Sequence, residues 1–230
     1  METRRGYLPG DEREFTGTAQ KTLRRAAQEL YFLLNRGYPV KSASTFIGNH
    51  YLLSERQRIA LSRVVSAREE ILLRRAKEKP SGETVQIDGF NTIITLETAL
   101  SGSPVFRCMD GTFRDLAGLR GTYRLIDKTD AAIQRIFVRL QELAIRRAVF
   151  WLDAPVSNSG RLKVRIAEIA EASSFDVGIE IADHVDQRLY SFPNVISSDS
   201  VILNRCPSWI NLNGGILSDI PGVWSIDLMG

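Results

Sequence analysis

Four short apolar runs of this sequence each lead into an aspartate. The runs occupy residues 85–88, 105–110, 148–153 and 194–199, and the aspartates are Asp88, Asp110, Asp153 and Asp199. Runs rich in β-branched and apolar residues, bounded by turn residues, predict buried β-strands. In an open parallel α/β sheet, ligands and metals bind at the carboxyl edge of the strands. If the four strands are parallel neighbours, we expect the four carboxylates to converge on one edge.

Such a cluster of carboxylates favours a divalent-cation site. Ionised carboxylates repel one another, so several of them in one place are costly unless cations neutralise them. Mg²⁺ and Mn²⁺ prefer oxygen ligands, and one or two such ions can generate a hydroxide and stabilise the oxyanions of a phosphodiester displacement. The alternative for each aspartate is that Asp and Gly after a strand only form a turn.

The segment that follows Asp153 offers a place for a phosphate. Ser157, Asn158 and Ser159 precede a helix that the sequence predicts from about residue 161 to 172, and Arg161 lies beside them. Free backbone N–H groups and the helix dipole favour an anion at such a position. The alternative is that Ser157 or Ser159 only caps the helix.

Composition limits the class of protein. The 230 residues are 43% hydrophobic and 25% charged, which predicts a soluble globular chain with one large domain or two small ones. No apolar run approaches the ~20 residues that span a bilayer, and the first residues lack the apolar stretch of a signal peptide, so we expect a cytoplasmic protein. Two cysteines and two histidines argue against a disulfide framework and a zinc site. No G-x-G-x-x-G follows the first strand, which argues against a dinucleotide fold.

Charge divides the chain into a basic and an acidic part. Residues 1–80 contain 16 Lys and Arg against 9 Asp and Glu, whereas residues 81–230 contain 14 against 18. The first part has apolar residues at helical spacing and a capping box at Ser54 and Gln57, which predicts a bundle of three or four helices. Residues 77–84 have the composition of a linker. We therefore predict a basic helical module at 1–80 and a second domain at 81–230.

The basic module contains a cluster of arginines beside an amide and two aromatic rings. The cluster consists of Arg56, Gln57, Arg58 and Arg63, and it follows Asn49, His50 and Tyr51 closely in the sequence. Arginine presents a planar fork that matches phosphate oxygens, and Tyr or His can stack on a base, so the cluster predicts binding to an RNA backbone. The alternative is the solvated basic face of a capped helix.

Residues 81–230 alternate predicted strands and helices. Besides the four runs above, we predict a long amphipathic helix at 130–147, a weaker strand at 176–181 and a last strand at 210–212. This alternation is typical of a parallel sheet covered by helices. The predicted fold class is therefore α/β.

Two motifs resemble a known class of enzymes. I-D-G-F-N at 87–91, together with S-S-D-S at 197–200, resembles the PIN-like nucleases and in particular their NYN branch. The resemblance implies a three-layer α/β domain with a parallel sheet and a nuclease that depends on Mg²⁺ or Mn²⁺. By position, Asp88 matches the metal ligand of the first strand, Asn91 the amide that helps to hold the metal or a phosphate, and Asp199 the acid of the late strand.

A third segment extends this resemblance. Residues 185–189 resemble the V-D-x-x-L segment that supplies a further acid in NYN members, which makes Asp186 a candidate metal ligand. Asp153 has the corresponding placement at a strand end. The sequence departs from the pattern at 200–201, where NYN proteins commonly place a second aspartate, so both one-metal and two-metal sites stay open.

The whole chain is also similar to a prokaryotic family of unknown function. In that family a helical domain with R-G-Y-P and G-N-x-Y-x-L-x-x-R-Q-R, here 36–39 and 48–58, precedes a domain with I-D-G-F-N and D-x-P-V-S-N-S-G. This resemblance spans most of the chain and implies no established activity.

Together these observations predict a Mg²⁺- or Mn²⁺-dependent nuclease that acts on RNA rather than DNA. We expect catalysis and metal binding from Asp88, Asp153 and Asp199, with Asp186 as a further ligand. Arg114 or Arg161 would hold phosphate, and Asp110 and Asp115 are lesser metal candidates. Two alternatives stay open, which are a non-catalytic RNA- or protein-binding module on a degenerate nuclease fold and a metal-dependent phosphohydrolase of small nucleotides.

Overall fold

Five helices form the beginning of the chain in the computed structural model, which describes residues 3–118 and 121–229. The helices are α1 (Asp11–Phe15), α2 (Gly17–Leu34), α3 (Val40–His50), α4 (Glu55–Val64) and α5 (Arg68–Lys77). The capping box at the start of α4 is present, because Ser54 Oγ accepts from the Gln57 N–H and the Gln57 side chain accepts from the Ser54 N–H. The extended residues Val65 and Ala67 separate α4 from α5, so this part has five helices where the sequence predicts three or four.

The remainder alternates strands and helices, as the sequence predicts. The elements are β1 (Thr84–Asp88), α6 (Gly89–Leu100), β2 (Val105–Arg107), β3 (Phe113–Arg114), α7 (Thr129–Glu142), β4 (Arg147–Asp153), α8 (Ser159–Ala170), β5 (Asp176–Ala182), α9 (Val185–Leu189), β6 (Val195–Ile196), α10 (Ser200–Arg205), α11 (Leu212–Ser218) and β7 (Ser225–Asp227). The main sheet has the order β5-β4-β1-β6, and all of its pairs are parallel. The fold is therefore mixed α/β with a parallel sheet. Within the described ranges, no helix has the length and apolar composition needed to cross a membrane.

The second predicted strand does not belong to the main sheet. β2 instead pairs in parallel with β7 and antiparallel with β3 in a separate three-stranded sheet. The reason is packing, because Phe106 of β2 is fully buried among the apolar side chains of the N-terminal helices and lies edge-on to Phe15 at 5.0 Å. The helical part thus shares one hydrophobic core with this small sheet.

Two other expectations about elements are wrong. Residues 210–212 form no strand. The isolated bridge to Val195 is made by Trp209, just before them, and the chain enters α11 at Leu212. The helix predicted at 130–147 ends at Glu142 because Ala144 takes a positive φ of 53° and β4 begins at Arg147. The last strand is β7, a three-residue element too short to carry a clear pattern.

The core of the main sheet forms around β1 and the helix that follows it. Val85 and Ile87 of β1 are fully buried, and α6 is buried along nearly its whole length. The first turn of α6 passes very close to β4, so that a Cβ at Gly89 would lie 2.6 Å from Leu152 Cδ2 and 2.9 Å from the Trp151 carbonyl oxygen. Only glycine tolerates such an approach. The glycine after Asp88 therefore allows the strand end and the helix to pack tightly.

Candidate functional site

Three strands of the main sheet bring aspartates to the same edge. β1 ends at Asp88 and β4 ends at Asp153, while β6 continues through two serines to Asp199. β1 lies between β4 and β6, so the three carboxyl groups come from adjacent strands. Asp186 comes from α9, which follows β5. All four line one cleft of about 210 Å³.

The rest of this acidic cleft combines apolar and polar groups. Phe90 and Ile94 of α6 contribute a buried apolar wall, and Asn91 and Asp115 contribute polar groups. Arg63, from the last turn of α4, is the basic side chain among the residues that line the cleft. The main sheet, α6 and the N-terminal helices thus all contribute to this cleft.

Two serines fix the position of Asp88 and of the loop that carries Asp199. Ser197 Oγ donates to Asp88 Oδ2 at 2.8 Å and accepts from the Asp199 N–H at 3.0 Å. Asn91 Oδ1 accepts from the Ser198 N–H at 2.8 Å and from Ser198 Oγ at 2.9 Å. The carboxylate of Asp199 caps α10 by accepting from two of its first N–H groups. The two motifs I-D-G-F-N and S-S-D-S are therefore linked through hydrogen bonds.

Ser197 belongs to the S-S-D-S motif but was not predicted to be a site residue. The parallel pairing of Ile87 with Ile196 places Ser197 beside Asp88, and this pairing was the missing information. Asn91 also has a different role from the one expected. Its Oδ1 is engaged by Ser198 and holds the β6–α10 loop, which leaves only Nδ2 for a ligand.

Burial makes the carboxyl group of Asp88 hard to ionise. The residue is only 6% exposed. Loss of water raises the pKa of Asp88 to about 8, and repulsion from Asp186, Asp199 and Asp153 acts in the same direction. The hydrogen bond from Ser197 opposes this shift without cancelling it. The Asp88 side chain is consequently protonated at neutral pH in the absence of a cation.

Two neighbouring acids have raised pKa values for related reasons. Burial raises the pKa of Asp153, and hydrogen bonding from the Val185 backbone partly offsets the rise. Asp186 lies at the rim of the cleft, where partial loss of water and repulsion from Asp199 and Asp153 raise its pKa. A positive ion in the cleft would relieve this repulsion.

The donors of the cleft fit a hard divalent cation, but they are not arranged as a closed site. Among residues 3–118 and 121–229, no three His, Cys, Asp or Glu side chains form a group that could hold a metal ion. Asp88 and Asp199 are fixed by hydrogen bonds, whereas Asp186 is exposed and Asp153 is partly exposed. A cation shared by three of these carboxylates therefore requires side chains to move from the positions described here. The buried carboxyl of Asp88, which shares a cleft with three other aspartates, is the observation that agrees with such a ligand.

A second recess of about 190 Å³ shares part of its lining with the acidic cleft. Asn91, Asp115, Asp199 and Arg63 line both cavities. The second recess adds Arg114, Ser198 and two further serines. We call it the basic recess because two arginines, Arg63 and Arg114, line it next to the acidic cleft.

The predicted phosphate segment lies outside the acidic cleft. Ser157, Asn158, Ser159 and Arg161 surround the start of α8 and are not among the residues that line this cleft. Asn158 takes a left-handed conformation with φ of 67°, and its Nδ2 donates to the Tyr123 carbonyl oxygen. Ser159 is buried and Arg161 is exposed. The segment connects β4 to α8 and is held by backbone bonds to residues 121–123.

Two of the arginines expected to bind RNA, Arg56 and Arg58, are used inside the protein. Arg56 forms an ion pair with the buried Asp11 and also donates to the carbonyl oxygens of Gly6 and Leu116. Arg58 donates to the Leu53 and Gly48 carbonyl oxygens and to Asn49 Oδ1. Guanidinium groups saturated in this way have few donors left for phosphate. These contacts agree with the structural alternative for Arg56 and Arg58.

Asp110 lies in a buried ion cluster, away from the acidic cleft. Its Oδ2 is 2.9 Å from Arg74 Nη1 and 2.7 Å from Arg114 Nη2, while its Oδ1 accepts from Thr112. Burial by itself would raise the pKa of Asp110, but the two arginines and Thr112 outweigh burial and lower it. The cluster joins α5 to the turn between β2 and β3. Asp110 does not join the acids at the edge of the main sheet, because the strand that precedes it belongs to the small sheet.

We expect Asp110→Asn to destabilise the protein by about 3 kcal/mol, because it leaves two buried guanidinium groups without their carboxylate. Urea unfolding at pH 7 measures this. Asp176→Asn, which removes an exposed ion pair with Arg147, is the matched control and is expected to change the free energy of unfolding by less than ~0.5 kcal/mol. Equal effects of the two variants would contradict a structural role of the cluster.

The chain has relatives in known families. Residues 77–215 match the family described as Domain of unknown function (DUF5616), and residues 22–77 match the family described as Protein of unknown function (DUF434). A relative from Methanocaldococcus jannaschii, Uncharacterized protein MJ0935, is 34% identical over 186 residues, which is 79% of this chain and 89% of that protein. No solved structure matches the chain. The expected two-part family of unknown function is confirmed, and the likeness to PIN-like nucleases stays a prediction.

Proposed function

This chain belongs to the family described as Domain of unknown function (DUF5616), and we propose that it is a PIN-like nuclease that depends on Mg²⁺ or Mn²⁺. The observation that supports this proposal most is the buried carboxyl of Asp88, which shares a cleft with three other aspartates. Burying a carboxyl among acids destabilises a protein, and such strain is typical of functional sites. The substrate that we propose is RNA, in preference to DNA.

Four carboxylates would hold the cation, namely Asp88, Asp153, Asp186 and Asp199. A bound divalent cation would supply positive charge beside phosphate oxygens and would lower the pKa of the water molecule bound to it. The chain supplies the positioning. Ser197 orients the Asp88 carboxyl and ties the backbone of Asp199 to it, so the two ligands from adjacent strands move as one unit. Ser197 engages Oδ2 of Asp88, and within residues 3–118 and 121–229 no hydrogen-bond donor engages Oδ1, which can therefore contact a cation.

The size of the two cavities favours a flexible single strand. Volumes of about 210 and 190 Å³ are each below the ~300 Å³ of typical small-molecule pockets. A single phosphate with its sugar is small enough for such a recess. Bases of single-stranded RNA can be splayed out when a protein binds the backbone. The preference for RNA itself depends on the NYN-type resemblance of residues 87–91 and 197–200.

The proposal predicts cleavage of single-stranded RNA that requires the cation and the acidic cleft. We expect cleavage with Mn²⁺, no cleavage with EDTA, and a loss of about 10²-fold in Asp186→Asn, because a rim ligand contributes part of the cation binding. Asp183→Asn is the control, since Asp183 is exposed and does not line the cleft. Gel analysis of end-labelled RNA measures both variants.

The same assay separates the alternatives. If the protein binds RNA in a salt-sensitive way that EDTA does not change, and cleaves none, it is a binding module and not a nuclease. Hydrolysis of nucleotides but not of RNA would indicate a small-molecule phosphohydrolase. Cleavage that is equally strong in Asp186→Asn and Asp183→Asn would contradict the proposed metal ligands.

A further inference from the structure

Arg63 belongs to the N-terminal helices, yet its side chain lines both the acidic cleft and the basic recess. We propose that Arg63 is the residue by which the helical module binds a phosphate of the substrate beside the four aspartates. This inference depends on the proposed nuclease function and assigns the helical module a direct part in it. The site is then built from both parts of the chain, and neither part contains it alone.

The guanidinium of Arg63 is available for a ligand. Its side chain is 37% exposed, and its described hydrogen bond is donated by Nη1 to the Asp115 carbonyl oxygen. Among the residues that the structure describes, no other acceptor contacts its remaining N–H groups. The Asp115 carboxylate is 4.0 Å away, too far for a close ion pair. Arg63 therefore has unused donors that reach the wall of the cleft.

Asp115 is only a distant ionic partner of Arg63, because other donors already engage both oxygens of its carboxylate. Oδ2 accepts from Thr95 Oγ1 at 2.7 Å, and Oδ1 accepts from the Ala117 N–H at 2.8 Å. Asp115 is thus held by α6 and by its own loop. A phosphate oxygen would be a closer partner for Arg63 than this carboxylate, since arginine binds phosphate through paired N–H donors.

Arg114 holds this arrangement in place instead of binding the substrate. Its Nε donates to the Ser198 carbonyl oxygen at 2.6 Å, its Nη1 donates to the Arg63 carbonyl oxygen, and its Nη2 contacts Asp110. The side chain is nearly buried, and although burial by itself would lower the pKa of Arg114, electrostatic interaction with Cys108 and Asp110 raises it. One guanidinium therefore links the end of α4 to the loop before Asp199. It fixes Arg63 relative to the acids.

The charges of the cleft explain why a positively charged side chain is needed beside it. Four aspartates repel a polyanion, and a cation bound among them offsets only part of this repulsion. Arg63 adds a fixed positive charge at the boundary of the two cavities, where a second phosphate of the strand would lie. The structural alternative is that Arg63 only stabilises the carboxyl end of α4 through the helix dipole.

The test compares Arg63→Gln with Arg24→Gln, whose arginine is exposed on α2 and lines neither cavity. Steady-state cleavage of single-stranded RNA with Mn²⁺ gives kcat and KM, and fluorescence anisotropy with Ca²⁺ gives the RNA affinity between 50 and 200 mM KCl. We expect Arg63→Gln to raise KM about tenfold and to reduce the slope of log affinity against log salt by ~0.7, the value for one phosphate contact. Arg63→Lys should restore the slope, because the charge returns.

The outcomes separate this inference from the proposed function. If the wild type cleaves RNA and Arg63→Gln has the same KM and salt slope as Arg24→Gln, the inference is overturned while the nuclease remains. A lower melting temperature of Arg63→Gln with an unchanged KM would assign Arg63 to helix stability and also overturn it. If the wild type neither binds nor cleaves RNA, the proposed function fails and the inference fails with it.

Discussion

Asp88→Asn is expected to reduce Mn²⁺-dependent cleavage of RNA by about 10³-fold. The substitution keeps the shape of the side chain and the bond from Ser197, but it removes the carboxyl group that would ionise when a cation binds in the acidic cleft. A cation contributes several kcal/mol to stabilising phosphoryl charge, and each 1.4 kcal/mol corresponds to about a tenfold change in rate. Initial rates of cleavage with saturating Mn²⁺ measure the loss.

The matched control is Asp176→Asn. Asp176 begins β5 at the opposite edge of the same sheet and forms an exposed ion pair with Arg147, so its replacement alters net charge without altering the cleft. We expect wild-type rates for this variant. Near wild-type cleavage by Asp88→Asn, with the control unchanged, would show that the acidic cleft is not the active site.

The same substitution is expected to stabilise the cation-free protein. The pKa of Asp88 is raised from its ordinary value to about 8 in the folded state, so folding favours the protonated form. Below pH 4 the carboxyl is protonated in both states and costs nothing. As pH rises from about 4 to 8, the unfolded chain ionises while the folded chain does not, and stability falls by up to ~1.4 kcal/mol per pH unit. Asp88→Asn lacks this loss.

We therefore expect the stability advantage of Asp88→Asn over the wild type, as unfolding free energy, to be about 3 kcal/mol larger at pH 8 than at pH 5. Urea unfolding with EDTA measures this difference. Mn²⁺ should raise the stability of the wild type at pH 8 and leave the variant nearly unchanged, because a cation that binds only the folded state stabilises it. A constant difference between wild type and variant over this pH range would contradict the raised pKa of Asp88.

Part of the site could be predicted from the sequence because strand ends carry a clear pattern. Asp88, Asp153 and Asp199 follow apolar runs that pair as adjacent parallel strands, and parallel strands carry their carboxyl ends to one edge. The run before Asp110 has the same pattern but belongs to the small sheet. Composition does not show which of the two sheets a strand joins. For the run before Asp110, this depends on the packing of Phe106 against helices far away in the sequence.

The roles of the arginines could not be predicted for a different reason. Arg56, Arg58 and Arg63 lie within eight residues on one helix, and their sequence context is similar. Their roles depend on which carbonyl oxygens and carboxylates the fold places around each guanidinium. Arg56 and Arg58 are engaged by backbone oxygens of the N-terminal part, whereas Arg63 extends to the cleft. Such tertiary contacts leave no periodic signal in the chain.

Binding of Mn²⁺ at pH 8, followed by electron paramagnetic resonance of the free ion, tests the central claim most directly. With a pKa of about 8, Asp88 is about half ionised at this pH, and a bound cation favours its ionised form, so we predict at least one saturable site in the wild type. Asp88→Asn should lose this site and Asp176→Asn should retain it. Absence of saturable binding by the wild type, or equal binding by wild type and Asp88→Asn, would contradict the account.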